Sequence, residues 1–244
     1  MAYFVKRESG TRLGLGKKAP HMSANRPEWV ADPPALLPRG HAALPPELVA
    51  QAHRRRLLSA MAEAVAEKGY VATSISDIVA RARVSRSAFY ACFADKEACF
   101  LAGYAEEAQR HFELITTAVA AEDDWLAQLR AGARAYVREL ELQPRFARSF
   151  LIEILAAGPR ALALRSAVHE RYAMLLKDWY EQAPDAPALP SLPDEIFRAA
   201  VGASNELVIA RLERPVPEDG GAAPLEELVL HCLLGLFGLR ERGG

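Results

Sequence analysis

No apolar run in this 244-residue chain approaches the roughly 20 residues that a membrane-spanning helix needs, so a role inside a bilayer is not expected. The first ten residues carry Lys6, Arg7 and Glu8 where a secretory signal would be apolar, and no export is expected. Cysteine is scarce: Cys92, Cys99 and Cys232 show no metal-ligand spacing and fit reduced thiols in a cytoplasmic setting. The six histidines are scattered, and none lies four residues from another. A catalyst needs a metal cluster, a nucleophile with its base, or a phosphate cradle. No Gly-rich nucleotide loop or metal-ligand pattern stands out, so neither an enzyme, a cofactor nor a metal is expected. The alternating β-branched pattern of strands is also nearly missing, which leaves an all-α fold.

What is present is a globular composition, 51% hydrophobic and 25% charged, with a formal net charge of −1. That charge is unevenly spread. Residues 1–46 hold seven Lys/Arg against three Asp/Glu, residues 47–100 eight against six, and residues 101–244 fifteen against twenty-two. A basic front on an acidic body suits a chain that meets phosphate at one end, although a basic tail alone could produce the same asymmetry. Residues 1–44, punctuated by Pro20, Pro27, Pro33, Pro34 and Pro38, read as a disordered extension. Met22 could be an alternative start, and Arg39 beside Gly40 could enter a minor groove as an arm.

From Pro45 the pattern is helix after helix. Pro45 and Pro46 open the first and Gly69 closes it, around an apolar stripe of Leu57, Leu58, Met61 and Val65. Further helices are expected near 95–121, 124–142, 144–157, 159–182, 193–212 and 224–240, with Pro144, Pro159, Pro193 and Pro224 at their starts. This divides the chain into residues 1–44, a first helical domain over 45–100, and a larger one over 101–244.

Residues 70–97 (YVATSISDIVARARVSRSAFYACFADKE) carry the strongest signal. Ser74 followed three residues later by Asp77 is a capping-box-like helix start. Ile75, Ile78 and Val79 give that helix an apolar face. Ser85 can cap a second short helix whose Phe89 and Phe93, spaced i, i+4, dock inward, leaving Arg86, Ser87, Tyr90 and Ala91 outside. Two short helices joined by a tight turn over about residues 74–94, with a polar outer face on the second, form a helix-turn-helix suited to a DNA major groove.

With those residues in place, Arg54–Leu101 resembles the DNA-binding domain of the tetracycline-repressor (TetR) family. The resemblance rests on Gly69-Tyr70, Thr73-Ser74, Asp77-Ile78, Val84-Ser85, Phe89-Tyr90-x-x-Phe93 and Asp95-Lys96-Glu97 together. It departs at Arg83, where the family usually has Gly in the turn. Either the turn differs slightly, the reading favoured here, or Arg83 is kept for a gain such as a phosphate contact. The resemblance implies that Arg86 and Ser87 read base edges, with Ala88 in close contact, and that Thr73, Ser85, Tyr90 and Lys96 meet phosphates. From the basic triplet Arg54–Arg56, Arg54 is the candidate contact, since the three fan across different directions.

The resemblance also implies a homodimer, a near-palindromic double-stranded operator, and a small-molecule effector, partly apolar, that releases the protein from DNA. Dimer candidates lie on the last two helices: Ala200, Ala203, Leu207, Leu228, Leu233, Leu236 and Phe237. Pocket candidates are Trp125, Phe146, Phe150, Glu153, Tyr172, Trp179 and Asn205, with Tyr136 and His169 nearby; plain core packing is the alternative for the aromatics. Glu153 could instead be paired with Arg148 or Arg160. A sequence-nonspecific architectural DNA binder is the competing reading, and it would call for a more basic chain overall.

Overall fold

A computed structural model describes residues 45–182, 189–214 and 223–239. The extension over 1–44, the arm at Arg39 and the chain end beyond 239 lie outside the described residues. Nine α-helices and one 3-10 turn make up the described residues, and no strand occurs among them. They are α1 (Pro46–Ala72), α2 (Ile75–Ala82), α3 (Arg86–Cys92), α4 (Lys96–Val119), α5 (Trp125–Leu142), α6 (Pro144–Leu151), the 3-10 turn (Glu153–Ala156), α7 (Pro159–Glu181), α8 (Asp194–Glu213) and α9 (Leu225–Leu236). The all-α expectation therefore holds. No described helix is long and apolar enough to cross a membrane.

Local chemistry accounts for the boundaries. Prolines open α1, α6 and α7, where a missing N–H costs nothing. Side-chain oxygens of Ser74, Ser85, Asp95 and Asp124 accept the free N–H groups that open α2, α3, α4 and α5. Gly69 breaks α1 as expected, at φ 81° and ψ 160°, and a last turn to Ala72 follows it. The helix anticipated over 144–157 is two pieces: α6 ends at Leu151, and the chain tightens into the 3-10 turn, a common way to finish a helix.

Buried apolar side chains form one connected core from Leu57 to Phe237. Helix α1 packs on α2, α3 and α4 on one side and on α6 and the 3-10 turn on another. Helix α4 runs from the short helices into the body, where it packs on α5 and α7; its 24 residues span about 36 Å at 1.5 Å per residue. The α8–α9 pair lies against α5, α6 and α7.

Candidate DNA-reading surface and effector cavity

Helices α2 and α3 meet through a turn at Arg83, which adopts φ 53° and ψ 47°. The turn thus keeps the left-handed geometry that favours glycine, correcting the expectation of a different turn. A non-glycine residue there costs roughly 1–2 kcal/mol. A guanidinium N–H of Arg56 donates to the Arg83 carbonyl at 2.9 Å, which helps fix the strained residue. Behind the turn Ile78, Ala82, Phe89 and Phe93 are buried on α1. Ser74 and Asp77 form a full capping box, and Lys68 beside Asp77 together with the Ser74 hydrogen bonds holds that carboxyl well below its usual range.

The outer face of α3 presents Arg86, Ser87, Tyr90 and Ala91 to solvent, with Tyr90 53% exposed and Ala88 partly covered. Ser85 is both exposed and engaged: its Oγ accepts the Ala88 N–H at 3.1 Å and lies 2.8 Å from the Ser87 Oγ. Three other DNA candidates are occupied by the protein itself. Thr73 is buried, its hydroxyl donating to the Gly69 carbonyl at 2.8 Å. The Lys96 ammonium donates to the Tyr70 and Thr73 carbonyls at 2.9 and 3.0 Å, over the Tyr70 ring. Burial lowers its pKa. Arg54 pairs with Glu106 of α4 and lies over the Phe93 ring. Lys96 and Arg54 tie α1, α3 and α4 into one unit, and sequence spacing could not show it, because their partners are carbonyls and a carboxylate distant in the chain; Thr73 closes the end of α1 on a carbonyl four residues back.

Glu153 sits away from the expected pocket. Its Oε2 accepts the Tyr70 N–H at 2.8 Å, and its Oε1 lies 3.7 Å from Arg148. Arg160, the other partner considered, reaches Glu97 instead. The break at Gly69 turns the Tyr70 N–H toward this carboxylate, and a Cβ on Gly69 would come within 3.2 Å of it. One acidic side chain of the body therefore fastens the end of α1.

The body holds a cavity of about 60 Å³ between α4, α5, α6, α7, α8 and α9. Phe150, Tyr172, Trp179 and Asn205 line it as expected, and Tyr136 and His169 join them. Trp125 packs instead on Tyr180, and Phe146 lines a smaller space of about 30 Å³ beside Tyr104. Phe150 borders both spaces. At one wall Trp179 closes on Gly132, where a Cβ would meet the indole at 3.3 Å. Leu129, Val201 and Leu233 are apolar lining that periodicity alone could not separate from ordinary core.

The polar groups around this space are linked. The Tyr136 hydroxyl donates to Asn205 Oδ1 at 2.5 Å, and the Asn205 amide lies 2.9 Å from His169 Nε2. His111 Nε2 lies 3.2 Å from the Tyr136 carbonyl, so that nitrogen donates and Nδ1 is left as an acceptor. Burial, reinforced by Arg110, lowers the His111 pKa to about 4; burial, with Arg165 and Arg198, lowers that of His169 to about 4. Burial pushes the phenols of Tyr104, Tyr136 and Tyr172 far upward.

The last two helices differ from expectation. Ala200, Leu233 and Phe237 are buried inside the chain's own core, Phe237 against Tyr180 and Phe197. The wide apolar face of α9 is largely consumed by α5 and α8. Ala203, Leu207 and Leu236 are partly covered, and Leu228 is 38% exposed.

A capped helix pair joined by a left-handed turn, set on an all-α body, is a helix-turn-helix fold. In comparison with known proteins, residues 57–102 match the model of the bacterial regulatory proteins of the tetR family. That match supports a DNA-binding transcription regulator. No curated protein matches the chain in sequence. Among solved structures, the fatty acid degradation regulator FadR from Bacillus halodurans is similar with a TM-score of 0.66 at 18% identity, covering 76% of this chain and 95% of its own. FadR from Bacillus subtilis, solved in complex with stearoyl-CoA, is similar with a TM-score of 0.64 at 16% identity, covering 75% and 96%. A tetR-family regulator from Syntrophomonas wolfei gives 0.66 at 17%, covering 79% and 99%. At these identities the likeness is one of fold.

Proposed function

We propose that this chain is a homodimeric repressor that leaves a near-palindromic operator when a small, partly apolar molecule enters the cavity of the body. The observation that carries the reading is the arrangement of α4, which begins at the reading head with Lys96 and borders the cavity with Ile115. Residues 45–100 act as the reading head and 101–239 as sensor and dimer surface. In this reading Arg86 and Ser87 contact base edges, with Ala88 close by, and Tyr90 and Ser85 contact phosphate. Arg54, Thr73 and Lys96 set the pose of α3 from behind.

Two connections carry the response. Phe150 borders the cavity and stands three residues before Glu153, whose carboxylate holds the Tyr70 N–H. Displacing Phe150 shifts that anchor as well as α4. Half-site centres on B-DNA lie about 34 Å apart, so a change of a few ångströms between two recognition helices prevents both from docking. FadR of Bacillus subtilis, in its complex with stearoyl-CoA, supports a binding role for such a body. Partly covered Ala203, Leu207 and Leu236 and exposed Leu228 are the surface left for a second copy.

The test is selection of DNA bound by the full chain from a random library, followed by titration with Glu153→Gln and wild-type protein. Enrichment of a two-fold symmetric site is expected, and Glu153→Gln should bind it with altered affinity while staying folded. Equal affinity for all sequences would overturn the reading in favour of an architectural DNA binder.

A further inference from the structure

The cavity is finished on its apolar side and unfinished on its polar side. The hydroxyls of Tyr104 and Tyr172 and Nδ1 of His111 are all buried without a hydrogen-bond partner. An unmet buried polar group costs free energy, and such groups call for an explanation at each site. They are near one another: Tyr104 stacks on Phe150 at 4.4 Å between ring centroids, and His111 meets Phe150 and Tyr172 edge-on at 6.5 and 6.4 Å. Phe150 stands between the space that Tyr172 lines and the one that Tyr104 lines.

The acids at this end are paired, while one arginine is not. Arg165 of α7 is partly buried and makes no hydrogen bond or ion pair with a described residue. It stands one helical turn before Val168 and His169 and two turns before Tyr172, all three of which line the cavity, so it shares their face of α7; its charge acts on His169 and on the Tyr104 hydroxyl. The buried acids Glu107 and Glu139 are already taken by Arg110. The other two arginines of this side are also engaged, Arg171 with Gln109 and Phe112, and Arg198 with Glu170. One cation and two phenolic donors therefore lack an acceptor. The opposite end, at Leu129, Val201, Leu233 and Trp179, is apolar.

The geometry points to an effector that is a small amphipathic carboxylate, its anionic head at Arg165 and the Tyr104 and Tyr172 hydroxyls and its apolar part toward Trp179. This rests on the sensing reading above and adds the chemical class to it. A space of 60 Å³ holds about four or five water-sized groups. That is room for the head and first carbons of a ligand; a ring or a longer chain enters only as Phe150 turns and joins the neighbouring space of about 30 Å³. Arginine and phenol donors together suit a carboxylate, because charge-assisted hydrogen bonds are roughly twice as strong as neutral ones.

The experiment is a binding titration of the full chain with hexanoate, octanoate and benzoate, against 1-octanol and octyltrimethylammonium, read by thermal shift and tryptophan fluorescence. At least one carboxylate is expected to bind ten times or more tighter than the alcohol, and the ammonium not to bind. Arg165→Gln should erase that preference while leaving 1-octanol unchanged, and Tyr172→Phe should reduce it several-fold. Circular dichroism on each variant verifies the fold. If no carboxylate binds, if the alcohol binds equally well, or if Arg165→Gln keeps the preference, the assignment is overturned. Release from selected DNA is measured separately. A carboxylate that binds without releasing DNA would refute the repressor mechanism and leave the ligand class standing.

Discussion

The reading head and the body treat buried polar groups in opposite ways. In the head, Thr73, Lys96 and the Tyr70 N–H all have partners, and every described helix start there except the proline-led one is capped by a side chain. The unpartnered buried side-chain atoms found among the described residues belong to Tyr104, His111, Gln143 and Tyr172, all in the body. A DNA-reading surface must be rigid before it meets its target, since groove geometry is fixed. A sensor must keep groups whose best partner is not the protein. In the proposed reading, satisfaction of polar atoms separates the part that presents from the part that senses.

Substitutions can break this comparison at both ends. The largest effect is expected in the body core, where Phe237→Ala should cost about 3–5 kcal/mol in denaturant unfolding. Leu228→Asp, on the exposed side of the same helix, should leave folding intact and shift sedimentation from dimer to monomer. A Leu228→Asp chain that remains dimeric would move the interface elsewhere.

At the head, Arg86→Ala should lose roughly 1–3 kcal/mol on the selected site and relax preference at one position of each half-site. Equal loss on random DNA, measured by competition, would make Arg86 a phosphate contact.

Acidification should act on the body first. His111 and His169 have folded pKa values lowered to about 4 from an ordinary 6.5, so the unfolded chain binds more protons between those values. Their contribution to stability is complete above pH 6.5 and falls away as pH drops toward 4. His111→Asn should flatten the fall in melting temperature between pH 7 and pH 5; an unchanged slope would contradict the neutral histidine.

The smallest effect is expected at the turn. Arg83→Gly relieves the left-handed strain and should raise stability by at most about 1 kcal/mol, because glycine also gains freedom in the unfolded chain. A loss instead would show that the Arg83 side chain itself supports the turn.

The head was legible because its signals are local. Ser74 and Asp77, Ser85, and Phe89 with Phe93 each act over three or four residues, which is the reach of a helical turn. Glu153 was misplaced because its partner lies 83 residues earlier, and nothing in its apolar flanks, Ile152 and Ile154, signals a contact with a backbone N–H. The apolar face of α9 was visible, but not what covers it. Periodicity shows that Leu233 and Phe237 are buried without distinguishing a neighbouring helix of the same chain from one of a second copy. Tyr136, seen at first as one aromatic among several, proved to be tied through its hydroxyl to Asn205, which in turn meets His169.

The bond from Glu153 to Tyr70 also has a consequence in time. Synthesis delivers α1 to α3 first, and N-terminal units generally begin folding as they emerge. The carboxylate that fastens α1 arrives only after residue 153 has left the ribosome, with the 3-10 turn. A nascent or prematurely terminated chain ending before that turn would carry α1 to α3 without the fastening that links them to the body. The link between head and body is thus assembled later than the head itself, and only a chain extended past Glu153 carries both ends of it.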